Sequence, residues 1–401
     1  MKVTTINIVI LLLIPTLLEV IDTSTFLVNI PGSPLSLGRL CFVLAGIVNL
    51  KKIKYLKNNR IYIAFMLIIL GMLSGLFFSP NLTEAISRTT AFSLFIFSAG
   101  SISFSFRKER LQYLLNFTMI GMFSYWTIYV VTNLFSGNAI LVYSELFKSD
   151  NVLNHHIVGL RLSTSAIYLA SYLISFSKTK QKIGYLLIII TISLCLLIES
   201  RSNTLFTLIA GLILYLTNNK LSIKFFIISF PLLIIFINLY LNYVGTIDAI
   251  SGRFNLTDSE YQARTTQSRF LLIELFIDNF INYPLGKGIN NIKLYFGNGN
   301  NFLVHNQYLS FILAGGVFGM MGVFIWIRNL INISKLILFK KLKSQISKFE
   351  SALIISLITF SLTLLTIDLS GLYFFFQLSF AIYLMSRYRE IKFISKYKNN
   401  K

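Results

Sequence analysis

The residues best suited to chemistry lie in and beside one long polar segment, Gly245–Val304, of an otherwise apolar chain. His305 follows it directly, and five cationic side chains are spaced along it: Arg253, Arg264, Arg269, Lys287 and Lys293. The planar guanidinium group of arginine binds phosphate or carboxylate through two parallel hydrogen bonds. Histidine serves as a base or a hydrogen-bond acceptor near neutral pH. The segment therefore predicts a site for an anionic ligand.

Two shorter groups of polar residues lie at the ends of apolar runs. Glu199–Ser202 reads ESRS, and an ionised pair sunk into a bilayer is costly. Either Glu199 and Arg201 form an ion pair at a tight turn, or Arg201 lines a cavity that opens to the outer leaflet. At the second place, either Asn306 simply caps a helix, or His305 acts as a base or hydrogen-bond acceptor.

Other kinds of site have little support in the sequence. The adjacent histidines His155 and His156 point in different directions on most backbones, and no spacing of carboxylates and histidines is typical of a metal site. Gly286–Gly288 lacks the spacing of a phosphate-binding loop, and there is no Gly-x-Ser-x-Gly motif. We expect neither a metal nor another cofactor. Cys41 and Cys195 fall in apolar runs, so a disulfide is not expected.

The composition is that of a membrane protein. The chain is 55% hydrophobic, has a mean hydropathy of +0.71 and contains only 13% charged residues. No soluble globular domain has this balance. Met1–Leu18 resembles a signal peptide but lacks a small-x-small cleavage site, so it is interpreted as an uncleaved first span.

Apolar runs of roughly 17–25 residues are long enough to cross a bilayer as helices. The sequence predicts an all-α integral membrane protein with about twelve spans, at 5–27, 36–50, 61–79, 84–105, 111–135, 157–177, 183–199, 202–217, 223–244, 306–333, 351–367 and 370–387. These divide the chain into spans one to nine (1–244), a loop (245–305), and spans ten to twelve with a basic tail (306–401).

The basic residues predict the orientation of the spans. With the N-terminus inside, 26 of the 36 basic residues fall in short inward segments, as the positive-inside rule requires. Both termini are then cytoplasmic, and Gly245–Val304 lies at the outer face. The net charge of +21 is thereby explained without nucleic acid.

The ten basic residues left on the outer side are enriched in arginine: seven of the ten are Arg, against six of the 26 inside. This enrichment also favours an anionic ligand at the outer face. Alternatively, Arg39, Arg88 and Arg161 extend from helix ends toward water. Twelve of the fifteen acidic residues are also outside, so some of these arginines must form ordinary ion pairs.

Within the loop, apolar residues recur at near-helical spacing along Thr265–Ile281. This pattern predicts an amphipathic helix at the membrane surface, with Arg269 near its start. Asn282–Pro284 is expected to end the helix, and Leu285–Gly288 to form a turn.

Taken together, these features resemble the O-antigen polymerase and O-antigen ligase superfamily of bacterial envelope glycosyltransferases. The resemblance rests on three features in order, over roughly residues 185–330. They are the Ser-Arg turn at Ser200–Ser202, the arginine-led helix from Arg269 to Pro284–Gly288 (PLGKG), and His305–Leu309 (HNQYL) followed by a helix with the glycines Gly315, Gly316 and Gly319. Each motif alone is weak, and their order and spacing make the resemblance specific.

The resemblance implies a GT-C-like fold and a metal-independent, inverting sugar transfer at the outer face of the bacterial inner membrane. The donor is a glycan on undecaprenyl pyrophosphate. A polymerase transfers it to a second lipid-linked repeat unit, and a ligase to lipid A-core; a chain-length regulator and a flippase are expected partners. The departing pyrophosphate needs fixed cations more than an acid. The catalytic candidates are Arg201, Arg269 and His305, the last as base or phosphate ligand. The candidates for binding the substrate or pyrophosphate are Arg161, Arg253, Arg264, Lys287 and Asn306.

Polymerase is the favoured member of this pair, because the chain is rich in Ile, Phe, Asn and Lys, as polysaccharide-cluster proteins often are. A flippase of lipid-linked oligosaccharide is an alternative of another class. A flippase is expected to have related halves, whereas the polar residues here concentrate in one loop. A purely structural membrane subunit is disfavoured by the Glu199–Arg201 pair and the arginine-bearing loop.

Overall fold

The structure is a computed structural model that describes residues 5–21, 28, 36–79, 82–135, 155–198, 200–218, 274–288, 294–295, 301–302, 306–365 and 371–399. Its first half contains eight α-helices: α1 (Thr5–Ile21), α2 (Leu37–Val48), α3 (Arg60–Ser74), α4 (Leu82–Ser103), α5 (Glu109–Phe135), α6 (His155–Ile174), α7 (Lys178–Leu197) and α8 (Arg201–Asn218). Short 3₁₀ turns at Leu50–Leu56, Gly75–Phe78 and Phe104–Arg107 flank α3 and α4.

The second half continues with helix α9 (274–282) and two short strands, β1 (Leu294–Tyr295) and β2 (Asn301–Phe302). Four helices follow: α10 (Gln307–Leu338), α11 (Lys340–Lys343), α12 (Lys348–Thr363) and α13 (Leu372–Asn399). The strands pair in antiparallel register, with Leu294 opposite Phe302. This small ladder was not predicted from the sequence.

The helical membrane architecture is confirmed. In the described part of the chain, six helices are long and apolar enough to cross a membrane, and three shorter helices are also apolar. Each of the predicted spans except the ninth coincides with one of the helices given above. The ninth span, 223–244, and most of the predicted loop 245–305 lie outside the described residues.

The core of the bundle is built where α3 packs closely against α10. Small residues permit this approach: a Cβ atom on Gly71 would overlap the carbonyl of Gly315, and one on Gly322 would lie 2.5 Å from the Ala64 oxygen. Membrane helices use small residues in this way to bring their backbones together. Around the contact, Phe65 lies edge-on to Phe311, with ring centroids 5.9 Å apart.

A second, more polar contact region joins α6, α8, α12 and α13. Ser356 on α12 donates to the backbone oxygen of Thr164 on α6 at 3.0 Å, and the Thr164 hydroxyl bonds to Tyr373 on α13. Gln377 donates to the same Tyr373 oxygen at 2.9 Å. Since no water competes inside an apolar bundle, buried polar side chains must satisfy one another, and these bonds set the register between helices.

At the opposite end of α12, a capping box begins the helix. The backbone N–H of Glu350 donates to the Ser347 hydroxyl at 3.1 Å, and that of Ser347 donates to the Glu350 carboxylate at 2.8 Å. The same carboxylate accepts from Tyr383 at 2.9 Å and from Arg387 at 2.5 Å. These contacts fix α12 to α13 at the end that the charge pattern assigns to the cytoplasm.

Candidate functional site

The predicted site residues divide into two groups. Asn306, Arg161 and Lys287 are described with their side chains, and Arg201 is the first residue of α8. The other candidates lie outside the described residues: His305, Arg253, Arg264 and Arg269.

The Ser-Arg turn is a tight connection between α7 and α8. The backbone N–H of Ser200 donates back to Cys195 at 2.9 Å, and the Ser200 carbonyl accepts the first bond of α8 from Thr204 at 3.0 Å. Ser200 is completely buried, and its hydroxyl accepts from Asn203 at 2.7 Å. The residues of the turn therefore hydrogen-bond to one another, and these bonds fix the backbone position of Arg201 at the start of α8. Glu199, its proposed ion-pair partner, lies outside the described residues.

Helix α6 packs directly on this turn. A Cβ atom on Gly159 would lie 2.6 Å from the Ser200 hydroxyl and 2.7 Å from the Asn203 amide nitrogen. Only glycine fits at that distance. The start of α6, with Arg161 two residues further on, therefore lies against the start of α8.

Helix α12 connects this turn to the start of α10. The hydroxyl of Thr363 donates to the Asn203 side-chain oxygen at 3.2 Å. The next residue, Leu364, accepts the backbone N–H of Gln307 at 3.0 Å, and the Tyr308 hydroxyl donates to the Ser361 carbonyl at 2.8 Å. The starts of α6, α8 and α10 and the end of α12 thus meet at one end of the bundle, here termed the Arg201 end.

Asn306 begins α10 as its N-cap. Its side-chain oxygen accepts from the backbone N–H groups of Tyr308 at 3.0 Å and Leu309 at 3.1 Å. The capping role predicted as one alternative is therefore confirmed. The cap uses the side-chain oxygen, so the amide nitrogen is the part of the side chain suited to donating to a ligand. His305 directly precedes this cap in the sequence.

Arg161 is buried, with 5% of its surface exposed, rather than extended toward water. Its guanidinium lies 5.3 Å from the centre of the Trp126 ring and donates to the carbonyl of Ile21 at 3.2 Å. Ile21 ends α1, where a cation complements the helix dipole. The interpretation of Arg161 as a side chain reaching to water is thus wrong, and the side chain joins α1, α5 and α6.

The other two outer arginines with described side chains form ion pairs. Arg39 lies 3.3 Å from the buried carboxylate of Glu19, which also accepts from Ser36 at 2.5 Å. Arg88 pairs with Glu84 one turn away on the exposed face of α4. The predicted presence of ordinary ion pairs among the outer arginines is confirmed at these positions.

The motif Pro284–Gly288 docks into a break in α10. Gly316 has φ 54° and ψ −138°, which interrupts the helix and frees backbone groups on either side. All three contacts are made by backbone N–H groups. That of Lys287 donates to the carbonyl of Leu313 at 2.9 Å, and that of Gly288 to the carbonyl of Ala314 at 3.1 Å. In the other direction, the N–H of Val317 donates to the carbonyl of Pro284 at 2.8 Å. The motif and the broken helix therefore satisfy each other's backbone.

The predicted end of the loop helix is confirmed, since α9 ends at residue 282 and a turn follows. Leu275 and Phe276 of α9 pack against Leu313 of α10, while Ile277 and Ile281 are exposed. An apolar edge of this kind is consistent with the predicted position at a membrane surface.

The side chain of Lys287 points back along α9. Its ammonium group donates to the Asn279 side-chain oxygen and lies 4.6 Å from the centre of the Tyr283 ring. Partial burial lowers the pKa of the Lys287 ammonium, because desolvation disfavours its charged form. The Lys287 ammonium group is thus held against α9 by Asn279 and by the Tyr283 ring that follows the helix.

Sequence reasoning missed Asn203 and Thr363. The signal that could have found them is the spacing of Asn203 and Thr207, four residues apart on one face of an apolar helix. Thr207 is also buried, and it donates to the hydroxyl of Ser163 at 2.8 Å. Polar residues so placed in an apolar helix mark the face that meets other helices.

Among the described residues, no group of three or more histidine, cysteine, aspartate or glutamate side chains is arranged to hold a metal ion.

The apolar helices and the polar residues gathered at the Arg201 end define a multi-helix membrane protein with a candidate site at one face. Residues 186–324 match the family model described as O-antigen ligase. The match runs from α7 through α8 and Pro284–Gly288 into α10, and it confirms the resemblance to the O-antigen polymerase and ligase superfamily. This family indicates a glycosyltransferase-like activity on a lipid-linked oligosaccharide in a membrane. No curated protein matches the chain.

Proposed function

We propose that this protein is a polysaccharide polymerase of the bacterial inner membrane. It transfers a growing O-antigen or capsule glycan from undecaprenyl pyrophosphate to a lipid-linked repeat unit at the outer face. The proposal narrows the general ligase and polymerase activity indicated by the family match to one donor, one acceptor and one side of the membrane.

The observation that carries the proposal is the connection between two motif segments that are about a hundred residues apart in the sequence. Hydrogen bonds run from Ser200 through Asn203 to Thr363, and from Leu364 to Gln307. Arg201 follows the first of these residues, and His305 precedes the last by two positions. Both are of the residue types that a reaction at an anionic leaving group requires.

The proposed reaction is a single displacement with inversion. The acceptor hydroxyl oxygen attacks the anomeric carbon of the donor as the bond from that carbon to the phosphate oxygen breaks. The electron pair leaves with undecaprenyl pyrophosphate, and Arg201 and Arg269 stabilise the departing charge. The hydroxyl proton passes to His305 if that residue is the base; if His305 binds phosphate, the proton passes to an oxygen of the departing pyrophosphate. No metal is required, because the arginines supply the positive charge.

The remaining candidates have supporting roles in this proposal. Arg253 and Arg264 bind the pyrophosphate from the loop, and Lys287 adds a cation beside α9. Arg161 supplies positive potential from below the Arg201 end, since its buried charge is poorly screened. The Asn306 amide nitrogen donates a hydrogen bond to substrate.

Ligase is the second candidate function, because the matched family carries the description O-antigen ligase. A ligase uses the same donor and leaving group and differs in its acceptor, lipid A-core. The same cations and the same histidine therefore serve either reaction, and the product distinguishes them.

The experiment is a gel of surface polysaccharide from a strain lacking the gene, with and without a plasmid-borne copy. A single repeat unit on lipid A-core that becomes a ladder on complementation identifies a polymerase. Long polymer left on the lipid carrier, with a bare core, identifies a ligase and contradicts the polymerase assignment. Repeat units trapped on the cytoplasmic side identify a flippase and contradict sugar transfer altogether.

A further inference from the structure

Asn203 of α8 uses both ends of its side-chain amide within the protein. Its nitrogen donates to the Ser200 hydroxyl at 2.7 Å, and its oxygen accepts from the Thr363 hydroxyl of α12 at 3.2 Å. Asn203, Ser200 and Thr363 are all completely buried. In an apolar bundle an asparagine is costly unless its partners are in place, so this geometry is well determined.

The second half of the connection is made by the backbone. Leu364, the neighbour of Thr363, accepts from the N–H of Gln307 at 3.0 Å. The Tyr308 hydroxyl donates to the Ser361 carbonyl at 2.8 Å, which makes a second tie between α10 and the end of α12. The end of α12 therefore lies between the turn that carries Arg201 and the helix start that follows His305.

Helix α6 also packs against Ser200 and Asn203. The space between Gly159 and the pair Ser200 and Asn203 is too small for a Cβ atom. Asn203 is therefore packed between Gly159 of α6 and Thr363 of α12.

The Thr363 hydroxyl differs from that of its neighbour one turn earlier. Thr359 is equally buried, but its hydroxyl donates to the Ile355 carbonyl of its own helix at 3.0 Å. The single proton of the Thr363 hydroxyl is shared between the Thr359 carbonyl of its own helix, 3.0 Å away, and the Asn203 side-chain oxygen on α8, 3.2 Å away. Only Thr363 of the two connects separate helices through this hydroxyl contact.

We propose that Asn203 and Thr363 are positioning residues for sugar transfer: they hold the start of α8, which carries Arg201, in a fixed place relative to the start of α10, which follows His305 in the sequence. This inference rests on the proposed function, because it takes Arg201 and His305 as the reacting pair. Catalytic groups must be held within about 0.5 Å of the productive geometry. A displacement of about 1 Å costs on the order of a hundredfold in rate.

The test compares three variants that keep Arg201 and His305. Thr363→Val removes the hydroxyl at nearly constant volume, Thr363→Ser restores it, and Thr359→Val is the matched control. Each is expressed in the deletion strain, and surface polymer is measured on a gel at equal amounts of membrane-inserted protein. Thr363→Val is expected to make about one tenth of the wild-type amount of polymer. A tenfold fall in rate corresponds to the free energy of about one buried hydrogen bond. Thr363→Ser and Thr359→Val are expected to remain within about twofold of wild type, since each keeps the Thr363 hydroxyl or its serine equivalent.

Two further variants, Asn203→Ala and its combination with Thr363→Val, examine whether the two residues act together. Asn203→Ala combined with Thr363→Val is expected to lose no more polymer than Asn203→Ala alone, because both changes interrupt one connection. Purified Thr363→Val is expected to melt slightly below Thr359→Val, because only the former takes a hydrogen-bond partner from the buried Asn203 oxygen; polymer is therefore compared at equal amounts of folded, membrane-inserted protein.

Three results would overturn the inference. These are a normal ladder from Thr363→Val, equal losses from Thr363→Val and Thr359→Val, and additive losses in the double variant. None of them touches the proposed function, which is tested separately by Arg201→Ala and His305→Ala. If those two variants make normal ladders, the proposed function fails whatever the Thr363 variants do.

Discussion

The arginines that the charge pattern assigns to the outer face differ in the contacts that hold them. Arg39 and Arg88 are neutralised by Glu19 and Glu84, whereas Arg161 is buried against the ring of Trp126. The excess of arginine over lysine at the predicted outer face thus has at least two causes, ion pairing and packing. Arg201 and the loop arginines are the ones left to carry the proposed chemistry.

Arg201→Ala and His305→Ala are each expected to abolish polymer while leaving membrane insertion intact. Arg201 starts a helix whose turn is closed by Ser200 and Asn203, so the substitution leaves these contacts in place. Surface polysaccharide gels and immunoblots of membranes measure the two effects.

Arg88→Ala is the matched control for these substitutions. Its exposed ion pair within one helix contributes about 0.3–0.5 kcal/mol, so this variant should make a normal ladder. Normal-length chains from Arg201→Ala or His305→Ala would remove that residue from the proposed mechanism.

Arg269→Lys is expected to reduce polymer by about tenfold or more, because lysine keeps the charge but loses the planar pair of donors. The measurement is the rate of ladder formation at equal protein level. Full activity would mean that Arg269 acts as a point charge and makes no bidentate contact with phosphate.

Individual residues could be predicted from the sequence where the partner is close in the chain. The cap by Asn306 is local and was predicted as one alternative. The pairing of Arg88 with Glu84 was not predicted, although their i,i+4 spacing in one helix favours it. The bond between Asn203 and Thr363 joins residues 160 positions apart, and nothing in the sequence indicates which buried polar side chains will meet. Such pairing depends on how the helices pack.

At the scale of elements, the break in α10 is the feature that connects the loop to the bundle. The glycine pair Gly315 and Gly316 serves two different partners. Gly315 lies against Gly71 of α3, and Gly316 leaves the helical conformation and makes room for Pro284. The two motifs that carry part of the family resemblance, Pro284–Gly288 and the glycines of α10, are therefore two halves of one contact.

Gly316→Ala is expected to weaken this contact. The φ of 54° with ψ of −138° suits glycine, and a Cβ atom would overlap the Pro284 carbonyl. Backbone strain alone costs about 1–3 kcal/mol, and hydrogen bonds to the motif are weakened in addition. The purified variant should melt about 2–5 °C below wild type and make less polymer.

Gly121→Ala serves as the comparison for that variant. Its Cβ atom would meet only the tip of Ile21, at 3.4 Å, so an ordinary helical substitution is tolerated there. Equal melting temperatures for Gly316→Ala and Gly121→Ala would contradict the importance of the helix break.

Element positions were predicted well because apolar runs and helix-ending residues are local signals. The α9 helix ends before Pro284 as expected, and the short second and eighth spans correspond to α2 and α8. The interruption at Gly316 was not predicted, since a glycine in an apolar helix usually indicates close packing, as Gly71 and Gly322 do here. The break in α10 depends on its contact with Pro284–Gly288, which lies about thirty residues earlier in the chain and cannot be foreseen from the glycine spacing alone.

At the scale of the whole molecule, the helices enclose a polar contact region that extends from the Arg201 end toward the middle of the bundle. Thr164, Tyr373 and Gln377 continue it below Arg161 and Asn203. Other buried polar contacts lie apart from it, such as those of Asn49 with Ser105 and of Asn59 with Ser386. Polar groups buried in a membrane protein commonly mark a functional region, and the one that contains Thr164, Tyr373 and Gln377 lies beneath the proposed site.

The predicted topology gives a direct test of sidedness. A reporter enzyme fused after Ser259 is expected to be active outside the cytoplasm, and one fused after Ser344 is expected to be active inside, because the latter segment is basic. The measurement uses two reporters at each position: a phosphatase that is active only outside the cytoplasm and a fluorescent protein that is active only inside. A cytoplasmic signal at Ser259 would overturn the outer-face site.

The most direct test of the central claim is reconstitution. Purified protein is placed in liposomes with the lipid-linked repeat unit extracted from a strain that lacks the gene, and the products are separated by size. Wild-type protein alone is expected to produce a ladder, Arg201→Ala and His305→Ala are expected to produce none, and Arg88→Ala is expected to produce a normal ladder. Failure of the wild type to extend the repeat unit, or an unchanged ladder from the Arg201 and His305 variants, would contradict the central claim.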